Sequence, residues 1–145
     1  IDGLIIVDLQ PEEDPELLSA IQSTDLDLIR LIAPTTNSKR LEKILKNSSG
    51  FLYYVTITGI TGQKSVNLAD LKQSITNIKN KTKLPVVSGF GIKNREQVKK
   101  VCKISDGAVV GSSIVKIIEN NINNENKMIA LVANFVKQLK ESIIK

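Results

Sequence analysis

An α/β fold with a parallel sheet is what this sequence predicts, and three features predict it. Short β-branched runs alternate with helical segments five times along 145 residues. Most of those runs are apolar at consecutive positions, as strands covered on both faces are. Run and helix together make units of roughly 22–30 residues, room for one crossover helix each. The length suits a single domain, residues 1–145, with a real core. With 41% apolar and 24% charged residues the chain lies near the globular average, which excludes a disordered tail or a fibrous repeat.

Taken in order, Leu4–Leu9 (LIIVDL) reads as the first strand. Glu12–Gln22 reads as a helix, with Pro11 at its start and acids in the first turn, where the helix dipole favours them. Leu28–Ala33 (LIRLIA) is the second strand, stopped by Pro34. Ser38–Lys46 carries Leu41, Ile44 and Leu45 at helical spacing behind Asn37 as N-cap. Phe51–Ile57 (FLYYVTI) is the third strand, followed by a Thr- and Gly-rich loop, Thr58–Ser65. A helix over Leu68–Lys79 is capped by Asn67 and apolar at Leu68, Leu71, Ile75 and Ile78. Val86–Ser88 is a short strand introduced by Pro85 and ended by Gly89–Gly91 (GFG). Asn94 caps a helix running to Lys103, and Ala108–Val110 is the fifth strand. Ser112–Asn120 opens a helix directly after Gly111. An Asn-rich linker, Asn120–Asn126, leads to a last amphipathic helix over Lys127–Ile143.

Composition removes several function classes. The chain has no histidine, so Ser-His and Cys-His nucleophile pairs and the usual zinc sites are excluded, and no metal is expected. Its one cysteine, Cys102, forms no internal disulfide, which suits a reducing compartment and a cytoplasmic location. No apolar run approaches the roughly 18–20 residues of a membrane span, so no membrane partner is expected. The net charge of +5 is unevenly spread. Residues 1–36 hold eight acids and one base, a net of −7, and the remainder carries +12. The lysines lie along several helices with no aromatic residues interleaved, which marks solvated helix faces and not a nucleic-acid surface.

Five βα units fit two architectures: a complete flavodoxin-like open sheet, or part of a (β/α)8 barrel, which typically needs eight units and about 250 residues. Two adjacent strands end in glycine, at SGFGI (Ser88–Ile92) and GSSIVKII (Gly111–Ile118), and the second runs straight into a helix. Glycine admits a ligand close to the backbone, and a helix N-terminus offers free N–H groups and partial positive charge. Ser112 adds a hydroxyl. Such a pair makes a phosphate site, although a single glycine loop would more simply be a tight turn. The (β/α)8 barrel commonly places its phosphate site after its last two strands, which favours the barrel. TGITGQKS is not a P-loop, because Ile57 and Gln63 occupy the positions of its first glycine and its lysine. GFGIKN has Asn94 where a dinucleotide fingerprint needs its third glycine.

With these motifs in view the chain resembles the tryptophan synthase alpha subunit family, whose members cleave indole-3-glycerol phosphate to indole and glyceraldehyde 3-phosphate on a (β/α)8 barrel. The resemblance runs over essentially the whole chain. It rests on DGLIIVDLQPEE (Asp2–Glu13), LIAPTT (Leu31–Thr36), FLYYVTITGITG (Phe51–Gly62), PVVSGFGI (Pro85–Ile92) and DGAVVGSSIVKII (Asp106–Ile118). It implies phosphate contacts from Gly62, Gly91, Gly111 and Ser112. It further implies that Phe90 and Tyr53 line the indole and glycerol part of the pocket, and that Ile32 packs on the indole. A simpler reading makes Tyr53 and Phe90 core aromatics. By resemblance Thr58–Ser65 is a mobile lid in which Thr61 orients a catalytic carboxylate. Two departures stand out: Gln10 where the family usually has Pro, expected to loosen that turn, and Gln63-Lys64 in place of Ala-Arg, expected to alter lid closure.

Protonating the leaving indole carbon and removing the glycerol hydroxyl proton call for an acid and a base. Without histidine, carboxylates are the natural pair. The resemblance places them on the second barrel strand and just after it. If the glycine loops follow strands seven and eight, the first strand present is the fourth. On that count about three βα units, on the order of 90–100 residues at about 30 per unit, precede Ile1 in the complete protein and carry the pair. The start at Ile1 then reads as a cut edge, and the chain alone is expected to be inactive. Asp8 is the one carboxylate at the end of a strand, expected to order a loop more than to transfer a proton. No cofactor is expected on this chain. The resemblance implies a partner beta subunit that holds pyridoxal phosphate in an αββα complex. The competing readings are a non-catalytic phosphate-binding half-barrel scaffold and a different phosphate-sugar barrel enzyme.

Overall fold

Five parallel strands lie side by side in chain order: β1 (Gly3–Ile5), β2 (Asp27–Ile32), β3 (Leu52–Val55), β4 (Val86–Gly89) and β5 (Gly107–Val109). Among the described residues six helices accompany these five strands: α1 (Pro15–Gln22), α2 (Ser38–Lys46), α3 (Leu68–Lys79), α4 (Arg95–Val101), α5 (Ser112–Glu119) and α6 (Glu125–Glu141). The computed structural model describes residues 1–13, 15–56, 67–89 and 91–143. The strand order separates the two architectures. A doubly wound sheet must reverse direction at a switch point. Here every crossover steps to the next place in one direction, from β1 to β5, as in an arc of a (β/α)8 barrel.

Register and burial show which face the helices cover. Arg30 pairs with Leu52 and Leu52 with Val86; Ile32 pairs with Tyr54 and Tyr54 with Ser88. Ile32, Leu52, Tyr54 and Val86 pack with Leu41 and Ile44 of α2 and Leu71, Ile75 and Ile78 of α3. Ala108, the partner of Ser88, joins a second cluster built from Ile92, Val98, Val101 and Leu139. The opposite face carries Leu31, Tyr53, Val87 and Gly107 in one row, and the three side chains of this row are only half-buried. Side chains alternate along a strand, so this row faces what is the interior of a barrel.

Most helix limits follow the local chemistry. The Asn37, Asn67, Asn94 and Asn124 side chains accept from the amides of Arg40 (2.9 Å), Ala69 (3.0 Å), Gln97 (3.0 Å) and Lys127 (3.1 Å). Each satisfies a donor that the helix itself leaves unpaired. The Asn124 cap starts the last helix at Glu125, ahead of the expected Lys127. The first helix starts at Pro15, not near Pro11. Proline is tolerated at the first helical position, but three residues deeper its ring would strike a carbonyl and its missing N–H would break a bond. A helix from Glu12 through Pro15 is therefore ruled out.

β1 is also shorter than the expected Leu4–Leu9. It pairs with β2 only at Gly3, Leu4 and Ile5, and the chain then turns away. Glu12 ion-pairs with Arg40 and with Lys43 (3.1 Å), and the Gln10 side chain accepts from Arg40 Nη2 at 2.9 Å. These contacts tie the β1–α1 segment to α2, so Gln10 fastens the turn that its departure from Pro was expected to loosen. Hydrogen bonds from Arg40 and Lys43 hold the Glu12 carboxyl below the usual carboxylate range.

At the other end of the strands, Asp106 accepts from the Val86 amide (2.8 Å) and from Lys79 (2.6 Å). Its own amide donates back to the Val86 carbonyl at 2.8 Å. Burial pushes the Asp106 carboxyl up, but the bonds from Lys79 and Val86 outweigh it and leave the carboxyl below its ordinary value. A depressed carboxylate stabilises the fold above its unfolded pKa, and that contribution is lost as pH falls through the lower folded value. Asp106→Asn is thus expected to cost about 1 kcal/mol near neutral pH, a figure kept small because the pair is partly exposed. Thermal melts at pH 7 and pH 2 check it: the gap between variant and parent closes at the lower pH.

Candidate functional site

The candidate site lies at the C-terminal ends of β3, β4 and β5, on the half-buried inner face. Tyr53 stands on β3 opposite Val87, and its ring reaches over Gly89. A Cβ added at Gly89 would sit 2.5 Å from Tyr53 Oη, 2.8 Å from Cε2 and 3.0 Å from Cζ. The glycine is required by the space that the ring fills. Gly91 follows at a φ of +57°, the left-handed conformation that glycine adopts without strain, with open space where a side chain would be.

Beyond β5 the chain enters α5 through Gly111, which serves as N-cap and makes no side-chain capping bond. α2, α3, α4 and α6 each begin with an asparagine cap, so α5 differs in keeping its first-turn amides clear of a side chain. Among the described residues, its chain neighbours apart, no atom lies within 4 Å of a Cβ built at Gly111. Ser112, the first residue of α5, is exposed. Ser113 Oγ donates to the Ile92 carbonyl at 2.8 Å, fastening the start of α5 to the loop after β4. Gly91 and Gly111 thus belong to loops joined by a direct bond, beside an uncapped helix N-terminus. Such a corner favours an anion through its amides and the helix dipole.

Three expected site residues, Thr61, Gly62 and Phe90, and the expected lid Thr58–Ser65 with Gln63 and Lys64, lie outside the described residues. Of the others, the structure brings Gly91, Gly111 and Ser112 to one end of the sheet, with Tyr53 on the inner face of the neighbouring β3. Ile32 is placed differently. It is 2% exposed and packs among Leu41, Ile44, Leu52 and Tyr54 on the helix side, so it does not share a face with Tyr53. Leu31 is the β2 residue in register with Tyr53.

Asp8 sits three residues past β1, exposed, at a cavity of about 500 Å³ lined also by Leu9, Gln10, Arg30 and Leu31. Arg30 is 4% exposed and donates to the Leu9 carbonyl at 3.4 Å, which helps to hold that loop. Among the described residues no cluster of His, Cys, Asp or Glu suits a metal ion. No helix there is long and apolar enough to cross a membrane.

Gly89 stands in SGFG as one glycine among two, and nothing local names Tyr53 as the ring seated on it. Two glycines separated by one residue, Gly89 on the strand and Gly91 in the loop after it, are the available signal. A glycine in mid-sheet at an ordinary φ marks a close approach by another group.

A sequence profile described as "Tryptophan synthase alpha chain" matches residues 1–144. The chain belongs to the tryptophan synthase alpha chain family. It is 45% identical over 118 residues to the tryptophan synthase alpha chain of Novosphingobium aromaticivorans, covering 81% of this chain and 44% of that one. To the Gluconobacter oxydans alpha chain it is 43% identical over 141 residues, covering 97% of this chain and 52% of that one. The crystal structure of tryptophan synthase subunit alpha from Legionella pneumophila superposes with a TM-score of 0.84 at 30% identity, over 98% of this chain and 52% of that one. The chain therefore spans about half the length of the curated relatives it matches. Its five strands and their helices correspond to a C-terminal portion of the tryptophan synthase alpha (β/α)8 barrel.

Proposed function

We propose that the protein works in tryptophan biosynthesis as a tryptophan synthase alpha subunit, a cytoplasmic lyase that cleaves indole-3-glycerol phosphate to indole and glyceraldehyde 3-phosphate. The observation that carries this reading is the uncapped N-terminus of α5, bonded through Ser113 to the loop after β4 and flanked by Gly91 and Gly111. In this reading the amides around Gly91, Gly111 and Ser112 receive the phosphate. Tyr53 bounds the indole-glycerol part, together with Phe90. Thr61 and Gly62 belong to a lid, and Asp8 orders the loop after β1 without transferring a proton itself.

The acid and base are carboxylates that are not among these 145 residues, and the chain needs no cofactor of its own. Released indole passes to a partner beta subunit that holds pyridoxal phosphate. Structures titled as tryptophan synthase from M. tuberculosis, similar to this chain at TM-scores of 0.76 to 0.80, support such a partner.

The test is an indole-release assay with indole-3-glycerol phosphate and the 145-residue chain alone. No turnover above the uncatalysed rate is expected. Measurable turnover would place a working acid/base pair on this chain and overturn that part of the reading.

A further inference from the structure

On the helix side of the sheet, α4 and the end of α6 line a groove of about 640 Å³. Arg95, Lys99, Lys100 and Lys103 line it from the α4 side, and Gln138 and Ser142 from α6. We propose that this groove is a second anion site, one that takes a linear oligophosphate such as the triphosphate of a nucleotide.

Sequence spacing sets the arrangement. Arg95, Lys99 and Lys103 follow one another at intervals of four, which stacks three cations along one side of α4 and the turn after it. Lys100 lies one position round. All four side chains belong to exposed residues, and none forms an ion pair among the described residues. Like charges at that spacing repel, so the groove keeps a surplus of positive charge that a bound polyanion relieves. A chain of phosphates matches a row of cations better than a single phosphate does.

The rest of the lining narrows the partner. Glu96 and Glu141 stand at the same groove and reduce its net charge to +2, so binding is weak and sensitive to salt. Among the described residues no aromatic side chain lines it, which leaves nucleobases without a stacking surface. Among the described residues no apolar side chain lines it either, which leaves no buried anchor there for a protein partner. Gln138 and Ser142 supply neutral hydrogen bonds to phosphate oxygens.

The experiment is a calorimetric titration with sodium tripolyphosphate at low ionic strength, in the Gly111→Asp background that closes the amides at α5. Saturable one-to-one binding is expected, at least tenfold tighter than binding of inorganic phosphate. Lys99→Glu with Lys103→Glu should weaken it at least tenfold. The neutral pair Lys99→Gln with Lys103→Gln, a milder change to the helix, should weaken it by a smaller factor. An acidic peptide of equal charge should bind no tighter than inorganic phosphate. Absence of saturable binding, binding that survives charge reversal, or tighter binding of the peptide than of tripolyphosphate would each overturn the proposal.

Discussion

Gly111→Asp is expected to lose about a hundredfold in affinity for indole-propanol phosphate while melting no lower than the parent chain. A hundredfold corresponds to roughly 3 kcal/mol, the scale of one or two hydrogen bonds to a charged group. The two halves of that result have one cause. Position 111 is the N-cap of α5, with open space where a side chain would go and no backbone strain to relieve. Aspartate is among the best N-cap residues, and its carboxylate accepts from the first-turn amides once ψ at position 111 turns from −75° towards the extended values of the asparagine caps. It therefore occupies the donors assigned to the phosphate and places a negative charge where the ligand's own must sit. The helix gains a few tenths of a kcal/mol from the cap. A variant that merely unfolded the corner would lose binding and stability together. Titration of the intrinsic or ligand fluorescence alongside a thermal melt separates the two.

The second large effect is expected at Gly89. Adding one methyl group there brings it to 2.5 Å from Tyr53 Oη, far inside van der Waals contact. The ring must move or the strands must part, and overpacking of this kind costs about 1–3 kcal/mol. Gly89→Ala should accordingly melt several degrees lower and bind the indole-bearing ligand more weakly, as the displaced ring enters the space in front of β3. Removing only the hydroxyl is not enough, because Cε2 and Cζ also lie within 3.0 Å of the new atom. Tyr53→Phe in the Gly89→Ala background should leave most of the defect in place. Tyr53→Leu, which withdraws the distal ring atoms, should restore most of the stability. If Tyr53→Leu and Gly89→Ala are simply additive, the two residues do not contend for that space.

The parts of the fold legible in the sequence were those that local chemistry decides. Asn37, Asn67 and Asn94 mark helix starts because an asparagine side chain satisfies an amide that the helix leaves open. The apolar spacing of Leu71, Ile75 and Ile78 identifies the buried stripe of α3 for a similar reason. Pro15 carries an equally local signal, because a proline belongs at the first helical position, where α1 begins. What stayed illegible depends on neighbours far along the chain. The tie between the β1–α1 segment and α2 comes from an arginine 28 residues beyond Glu12. Ile32 faces the helices through its register with Tyr54, and register is not written in either segment alone. The glycine loops at Gly91 and Gly111 could be read as an anion site from sequence, but their tie through Ser113 and Ile92 could not.

Sheet order carries a further lesson. Five βα units are compatible with both an open sandwich and a barrel arc, and hydrophobic patterning alone does not distinguish them. Glycine placement at the last two strands favoured the barrel. The unbroken order from β1 to β5 is the independent geometric reason, because it leaves no switch point at which a doubly wound sheet would bind its ligand.

The most direct measurement is an amide NMR titration of the isotopically labelled chain with indole-propanol phosphate. Saturable shifts confined to Gly91, Gly111, Ser112 and the neighbourhood of Tyr53 are predicted, and they should vanish in Gly111→Asp. Saturable binding that leaves the Gly91, Gly111 and Ser112 amides unmoved would contradict the assignment of the phosphate to the N-terminus of α5.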